Sequence, residues 1–382
     1  MLVLPKTHLA YCTNVHPGRD WAETFHSLQT HTLAVKRSVC PNSRYAIGLR
    51  LSASAAQELS HPPTLVAFQR WLDQEDCYVF TINGFPYGDF HNTRVKENVY
   101  LPDWSSPDRL AYTKQVFDLL VQLLPDGVAG SVSTVPGSFK PFNTTPEQLA
   151  AIHENLYQLY QHIDKLSEKH HTDLHLGLEP EPLCLFETTP ETIAFFEQFL
   201  DKRPDPTAIR QRIGVNYDTC HLALQYEDAP TSLAALQDAG IRVSKIHLSS
   251  ALKVRDFSQS TLAQLDTFCE PTYLHQTLAT PTRHSYLDLP HALAARRAGQ
   301  DTAAEWRIHF HIPLHAQPAA PLESTADHLE ATIEYLKAQP DLCQHLEMET
   351  YTWGVMPSQL QSKNPAEQII AEYQYLLPIL HA

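Results

Sequence analysis

From one end to the other, short apolar runs alternate with longer segments of helical period, and this alternation restricts the fold more than any other feature. The strand-like runs are Leu9–Val15, Tyr45–Leu51, Tyr78–Asn83, Val128–Val135, Leu174–Leu178, Ile213–Tyr217, Val243–Leu248, Ile308–Leu314 and Leu346–Thr352. Most are nearly continuous in apolar character, as expected of strands covered on both faces. The segments between them carry helical stripes. Leu149, Ile152, Leu156, Leu159, Ile163 and Leu166 form one, Trp21, Phe25 and Leu28 another, and Ile193, Phe196 and Leu200 a third. Thr189-Pro190 reads as the N-cap and first position of the third helix, and Asn364, Pro365 and Glu367 as cap, first and third positions of the last.

Repeated strand–helix alternation gives βα units and a parallel sheet. In a chain of 382 residues with no GxGxxG after its first strand, a closed (β/α)8 TIM barrel fits better than an open dinucleotide-binding sheet. The runs exceed eight by one, and the surplus lies between His247 and Glu349, a longer stretch than a single βα unit uses. Residues 253–320 therefore read as an insertion, between strands seven and eight, within one domain spanning 1–382. Its centre, Arg283 to Gly299, reads as a loop and a short helix.

Composition narrows the function. With 28 Lys and Arg against 43 Asp and Glu, the net charge of −15 disfavours a nucleic-acid backbone or an anionic membrane surface as partner. No apolar run approaches the roughly 18 residues of a membrane span. The opening Met1-Leu2-Val3-Leu4 stops at Pro5-Lys6, so a cytoplasmic protein with no signal peptide is expected. Seven widely spaced cysteines without a CxxC pair read as reduced thiols. Low glycine and the absence of GxxxxGK[ST] disfavour a phosphate cradle, while the 22 histidines call for a role.

Active sites of such barrels lie at the C-terminal ends of the strands. There the sequence reads Leu178-Glu179-Pro180-Glu181-Pro182, then Asn216-Tyr217-Asp218-Thr219-Cys220-His221, then Lys245-Ile246-His247-Leu248-Ser249, then Glu347-Met348-Glu349-Thr350-Tyr351. Each alone has an ordinary explanation: a core histidine, a paired glutamate, or Asp218 capping the next helix. Together, on consecutive strand ends, they would be costly as isolated buried charges, and a shared divalent cation satisfies them all. Three carboxylates and one imidazole suit Mn²⁺ or Zn²⁺, with Mg²⁺ and Co²⁺ also compatible. Glu181 and Glu347 are alternatives to Glu179 and Glu349.

The same order resembles the xylose isomerase-like barrel superfamily, which includes sugar phosphate isomerases and epimerases. That resemblance implies Glu179, Asp218, His247 and Glu349 as metal ligands, Glu179 and Glu349 as the catalytic acid–base pair, and His221 beside the metal holding substrate. The position at which the ketose epimerases carry a substrate-contacting Arg is Lys253 here. A narrower resemblance runs through His8–Gly18, Asn83–His91, Tyr100–Trp104, His309–Pro313 and Glu349–Trp353. These segments look like the metabolite traffic protein EboE family, which implies a secondary-metabolite pathway and other proteins of that pathway as possible partners.

His16, Arg50, His91, His309 and His311 would also face the barrel mouth. His309 and His311 are two apart, so in an extended segment they share a face. The histidines have three readings: a second or third metal, as in the endonuclease IV branch; hydrogen bonds to a polyhydroxylated or phenolic substrate; or a packed layer of neutral imidazoles. Arg50, Lys140, Lys253 and Arg255 are the candidates for an anionic substrate group, and Gly84–Tyr87 reads as a turn carrying an aromatic over the pocket. The expectation is a metal-dependent isomerase or epimerase-like enzyme acting on a small polyhydroxy, keto or cyclised metabolite. The alternatives are a multi-metal hydrolase and a non-catalytic metabolite-binding protein.

Overall fold

The computed structural model describes residues 1–91, 93–318 and 320–382. Its strands are β1 (Leu2–Leu4), β2 (Thr7–Tyr11), β3 (Tyr45–Arg50), β4 (Cys77–Asn83), β5 (Gly130–Thr134), β6 (Leu174–Leu178), β7 (Ile213–Asp218), β8 (Val243–Leu248), β9 (Leu252–Val254), β10 (Thr277–Thr280), β11 (His284–Tyr286), β12 (Glu305–Ile308), β13 (Leu322–Ser324) and β14 (His345–Met348). Strands β3 to β8 pair in parallel in chain order, β8 pairs with β14, and β14 pairs with β2. A parallel bridge between Cys12 and Gly48 joins the end of β2 to β3 and closes the ring. The short β1 adds antiparallel to β2. Every residue of β3, β4, β5, β6, β7, β8 and β14 is buried, which is why their sequences run apolar without alternation.

Gly48 shows how tightly the interior is filled. A Cβ there would lie 2.0 Å from Glu347 Oε1 and 2.6 Å from the Tyr11 carbonyl oxygen, so only glycine lets β3 approach its neighbours at that point. Outside the ring, the helix Pro146–His170 buries Ile152, Leu156, Leu159 and Ile163 of the expected stripe. The third helix, Thr189–Leu200, is capped one residue earlier than its sequence suggests. Thr188, not Thr189, is the N-cap, because Thr188 and Glu191 have the spacing of a reciprocal capping box. In the last helix Asn364 Oδ1 accepts from the Glu367 amide at 3.0 Å, as expected.

Between β8 and β14 the chain builds a second, antiparallel sheet in the order β11-β10-β12-β9-β13. It has its own apolar core, which includes Leu252, Val254, Leu265, Leu289, Trp306, Ile308, Phe310 and Ile312. The segment Arg283 to Gly299 forms β11 and the helix Leu289–Arg297. The run Ile308–Leu314 is not a strand: only Ile308 belongs to β12, and residues 309–313 are irregular. Phe310 and Ile312 are apolar because they fill this second core, which leaves the alternate residues His309 and His311 to face the barrel mouth. Strand β2 likewise ends at Tyr11, and Thr13–Val15 turns as a short 3-10 segment. Lys96 ties the barrel to the second sheet: its Nζ lies 2.7 Å from Asp288 and 2.6 Å from the Tyr273 carbonyl oxygen, all buried.

Candidate metal centre

Four side chains converge at the C-terminal mouth of the barrel: Glu179 just after β6, Asp218 at the end of β7, His247 in β8 and Glu349 just after β14. All are buried, and one donor atom from each lies within 4.8 Å of all the others. His247 Nδ1 is 3.0 Å from Glu179 Oε1, 3.0 Å from Glu349 Oε2 and 3.6 Å from Asp218 Oδ2.

Two of the carboxylates, Asp218 and Glu349, are held by their other oxygen. Asp218 Oδ1 caps the following helix, accepting from the amides of Cys220 at 2.8 Å and His221 at 3.0 Å, and from Ser249 Oγ at 2.6 Å. Its Oδ2 is buried and has no hydrogen-bond partner among the described residues. Glu349 Oε1 accepts from Asn14 Nδ2 at 2.7 Å and Asn83 Nδ2 at 3.1 Å, which fixes Oε2 toward the cluster.

His247 is fixed from behind. Its Nε2 donates to Glu347 Oε2 at 2.9 Å, and the same oxygen lies 2.6 Å from Lys245 Nζ. With the proton on Nε2, the Nδ1 lone pair can accept from Asn216 Nδ2 at 3.1 Å but also faces three carboxylates, an arrangement that a cation or an added proton relieves. Burial alone lowers the pKa of His247, but Glu349 and Glu179 more than offset it and hold it well above the ordinary imidazole value. The site draws positive charge onto Nδ1. Metal–ligand bonds of about 2.0–2.2 Å put neighbouring donors about 3–3.5 Å apart, so this donor set fits a divalent cation. Glu347 is on the far side of His247, paired with Lys245, and so orients the histidine from outside the donor set. Glu181 lies beside His221, with its Oε2 3.1 Å from Nδ1, and burial together with Glu179, Asp218 and Glu349 raises its pKa well above the carboxylate range.

A second group adjoins the first. His221 Nε2 is 3.1 Å from His309 Nε2 and 3.4 Å from His311 Nε2. The outer nitrogens identify the tautomers. His221 Nδ1 donates to the Pro180 carbonyl at 3.0 Å, and His311 Nδ1 to the Glu349 carbonyl at 3.0 Å. His309 Nδ1 donates to Gln276 Oε1 at 2.8 Å, an orientation set by Gln276 Nε2 donating to Tyr100 Oη at 2.9 Å. The Nε2 lone pair of His221 therefore faces those of His309 and His311, and the donor sets whose atoms come together here include Glu181, His221 and His309, and Asp218, His221 and His311.

The other expected residues lie apart. His16 is buried, with Nε2 3.0 Å from Tyr11 Oη, and stacks on His31. His91 bridges the Asn14 carbonyl and Tyr273 Oη, at 2.5 and 3.0 Å. Arg50, expected at substrate, instead holds backbone: its guanidinium donates to the carbonyls of Gly18 and Gly88. Lys253 sits in β9 and pairs with Glu323 at 3.3 Å, because the second sheet turns it from the mouth. Lys140 pairs with Glu187 and Glu191, and Arg255 with Glu305. The roles of Lys245, Glu347 and Gln276 do not follow from their sequence, since each depends on a partner distant in the chain. The one available signal is the shared alternation of Lys245-x-His247 with Glu347-x-Glu349 on two strands that pair.

No protein family matches the chain by sequence, and no curated protein does. Among solved structures it is similar to the IolI protein with a bound zinc atom, at 12% identity, with 97% of each chain covered and a TM-score of 0.50. It is also similar to L-ribulose 3-epimerase, at 12% identity over 98% of this chain and 95% of that one, with a TM-score of 0.49. A third is 3-keto-D-glucoside 4-epimerase YcjR from E. coli, at 11% identity over 97% of this chain and 99% of that one, with a TM-score of 0.45. At these identities what is shared is the fold: the chain is a TIM barrel, as its closed ring of parallel strands shows.

Proposed function

We propose that the protein is a divalent-metal-dependent isomerase or epimerase-like enzyme acting on a small polyhydroxy, keto or cyclised metabolite. The observation that carries this reading is the convergence of Glu179 and Glu349 on His247 Nδ1, each at 3.0 Å, with Asp218 Oδ2 beside them. Glu179, Asp218, His247 and Glu349 would hold the ion. A bound divalent cation supplies Lewis acidity at a substrate carbonyl oxygen, which acidifies the adjacent C–H. Glu179 and Glu349 are then placed to take the proton from that carbon and to return it, and Asn14 and Asn83 keep Glu349 Oε2 aimed inward. The resemblance of several sequence segments to the metabolite traffic protein EboE family supports a place in a secondary-metabolite pathway, and the short N-terminal apolar run, stopped at Pro5-Lys6, supports a cytoplasmic location.

The test is metal content by mass spectrometry on the desalted wild type and on an Asp218→Asn/His247→Ala variant, followed by solvent deuterium exchange into candidate ketoses. Bound metal lost in the variant, with C–H exchange abolished by Glu349→Gln, is the expected result. A wild type that stays empty after incubation with Mn²⁺ or Zn²⁺ sinks the reading and leaves a metabolite-binding role.

The tautomers of His221, His309 and His311 favour a second reading, a multi-metal hydrolase in which these imidazoles hold a further ion and water is the nucleophile. Two or more equivalents of metal, with cleavage of a phosphoester or lactone, would select it over the isomerase.

A further inference from the structure

The polar side chains of the pocket above the carboxylate cluster include Asn14, Asn83, Glu179, Glu181, His309 and Glu349. Its sides include Phe85, Val99 and Leu274. Phe90, Tyr273 and Tyr351 also line it, and their ring centroids are 5.1, 5.2 and 5.1 Å apart in the three pairings. These rings come from the loop after β4, from the second sheet's leading segment and from the turn after β14, so three distant parts of the chain meet to make one aromatic cap. Tyr273 Oη is engaged by the Phe90 carbonyl at 2.9 Å, so this cap residue offers its ring and not a free hydroxyl.

Among the described residues the pocket also offers no unengaged Lys or Arg to an anion. Apart from histidine, the basic residue lining it is Lys96, whose ammonium is held by Asp288 at 2.7 Å and by the carbonyls of Tyr273 and Glu270 at 2.6 and 3.1 Å. Arg50, Lys140 and Lys253 are engaged elsewhere. A phosphate or carboxylate entering here would face Glu179 and Glu349, and the three carboxylates of the cluster exceed the charge of one divalent ion. A sugar with hydroxyls on every face would leave several unpaired against Phe85, Val99 and the cap.

We infer that the substrate is an uncharged ring compound with its keto and hydroxyl groups on one edge and an apolar remainder, and neither a sugar phosphate nor a free sugar. The inference rests on the metal-dependent reading of the same site and narrows its substrate. The oxygenated edge meets the carboxylate floor, and the apolar part lies under Phe90, Tyr273 and Tyr351.

The test is calorimetric titration of the full-length protein, with and without Mn²⁺, using 2-hydroxyacetophenone, D-ribulose and D-ribulose 5-phosphate as probes. The expected result is that 2-hydroxyacetophenone binds at least about tenfold tighter than either sugar. Phe90→Ala should weaken it about fivefold or more, and Val99→Arg, which supplies the missing cation, should raise affinity for D-ribulose 5-phosphate about tenfold. Wild-type protein that binds D-ribulose 5-phosphate or D-ribulose as tightly as the aryl ketone overturns the inference, as does the absence of saturable 2-hydroxyacetophenone binding. Should Phe90→Ala fail to fold, the wild-type comparison and Val99→Arg still decide. Failure to bind Mn²⁺ would sink the metal-dependent function, whereas the ranking of the three probes on metal-free protein would still judge the substrate class.

Discussion

Glu347 Oε2 lies 2.9 Å from His247 Nε2, and the two residues are register partners on the adjacent strands β14 and β8. Both are fully buried, and Lys245 Nζ completes the group at 2.6 Å from the same oxygen. This chain of contacts gives His247 its tautomer and aims Nδ1 at Glu179, Asp218 and Glu349.

Glu347→Gln should therefore act on stability and on metal binding together. It leaves the Lys245 ammonium buried without its counter-charge, at a cost of about 3–5 kcal/mol. It also weakens the constraint on His247, which should lower metal affinity about 10–100-fold. A Lys245→Met/Glu347→Leu double variant should recover much of the stability in urea denaturation but not the affinity in metal titration. Unchanged metal affinity in both variants would remove Glu347 from the positioning role.

Gly48→Ala should destabilise the barrel by about 3 kcal/mol or more, because the new methyl meets a buried carboxylate and a backbone carbonyl that cannot retreat. The urea midpoint measures this. A neutral substitution would show that β3 is free to move outward at the Cys12–Gly48 closure.

Glu372 gives stability a specific pH dependence. Burial raises its pKa from the ordinary 4.5 to about 7, while its Oε1 accepts from the Leu314 amide at 3.2 Å. The folded state favours the protonated acid, so this contribution is full below the unfolded pKa and is lost as pH rises toward the folded value. Glu372→Gln cannot titrate. Its stability relative to wild type should improve by about 2–3 kcal/mol between about pH 5 and about pH 8, read as the difference between urea unfolding curves. A constant difference across that range would place Glu372 in contact with water.

The hydrolase reading predicts a second metal equivalent around His221, His309 and His311. His311→Ala should remove one equivalent and leave the one held around His247. Gln276→Leu, which releases His309 Nδ1, should weaken binding of the second ion about 10–100-fold. Cobalt substitution provides the readout, since the visible bands of the two ions would be lost separately. A wild type that never takes more than one equivalent would mean that a proton links these imidazoles.

Much of the barrel was legible because its strands are buried on both faces. Tyr45–Leu51, Tyr78–Asn83 and Val243–Leu248 stand out as apolar runs whatever surrounds them, and β3, β4 and β8 fall within about a residue of them. Glu179, Asp218, His247 and Glu349 were legible for the related reason that a charged side chain directly after such a run has few explanations. Ile308–Leu314 misled because burial reports only that a core exists. Phe310 and Ile312 fill the core of the second sheet and not that of the barrel.

The order of βα units and the carboxylates and histidines that follow their strands are legible along the chain, because strand burial and polarity are local properties. Depth and partnership were decided by the tertiary structure. Glu347 lies in β14 and Glu349 just after it, and only the register of β14 on β8 sets the first behind His247 and the second in front of it. Likewise Arg50 and Lys253 carry the right charge for an anionic substrate, but Arg50 is spent on carbonyls of distant loops and Lys253 on Glu323 across a strand pair. A hydrogen bond or ion pair depends on distances of a few ångströms between residues far apart in the chain, and those distances exist only once the barrel has closed and the second sheet has docked on its mouth.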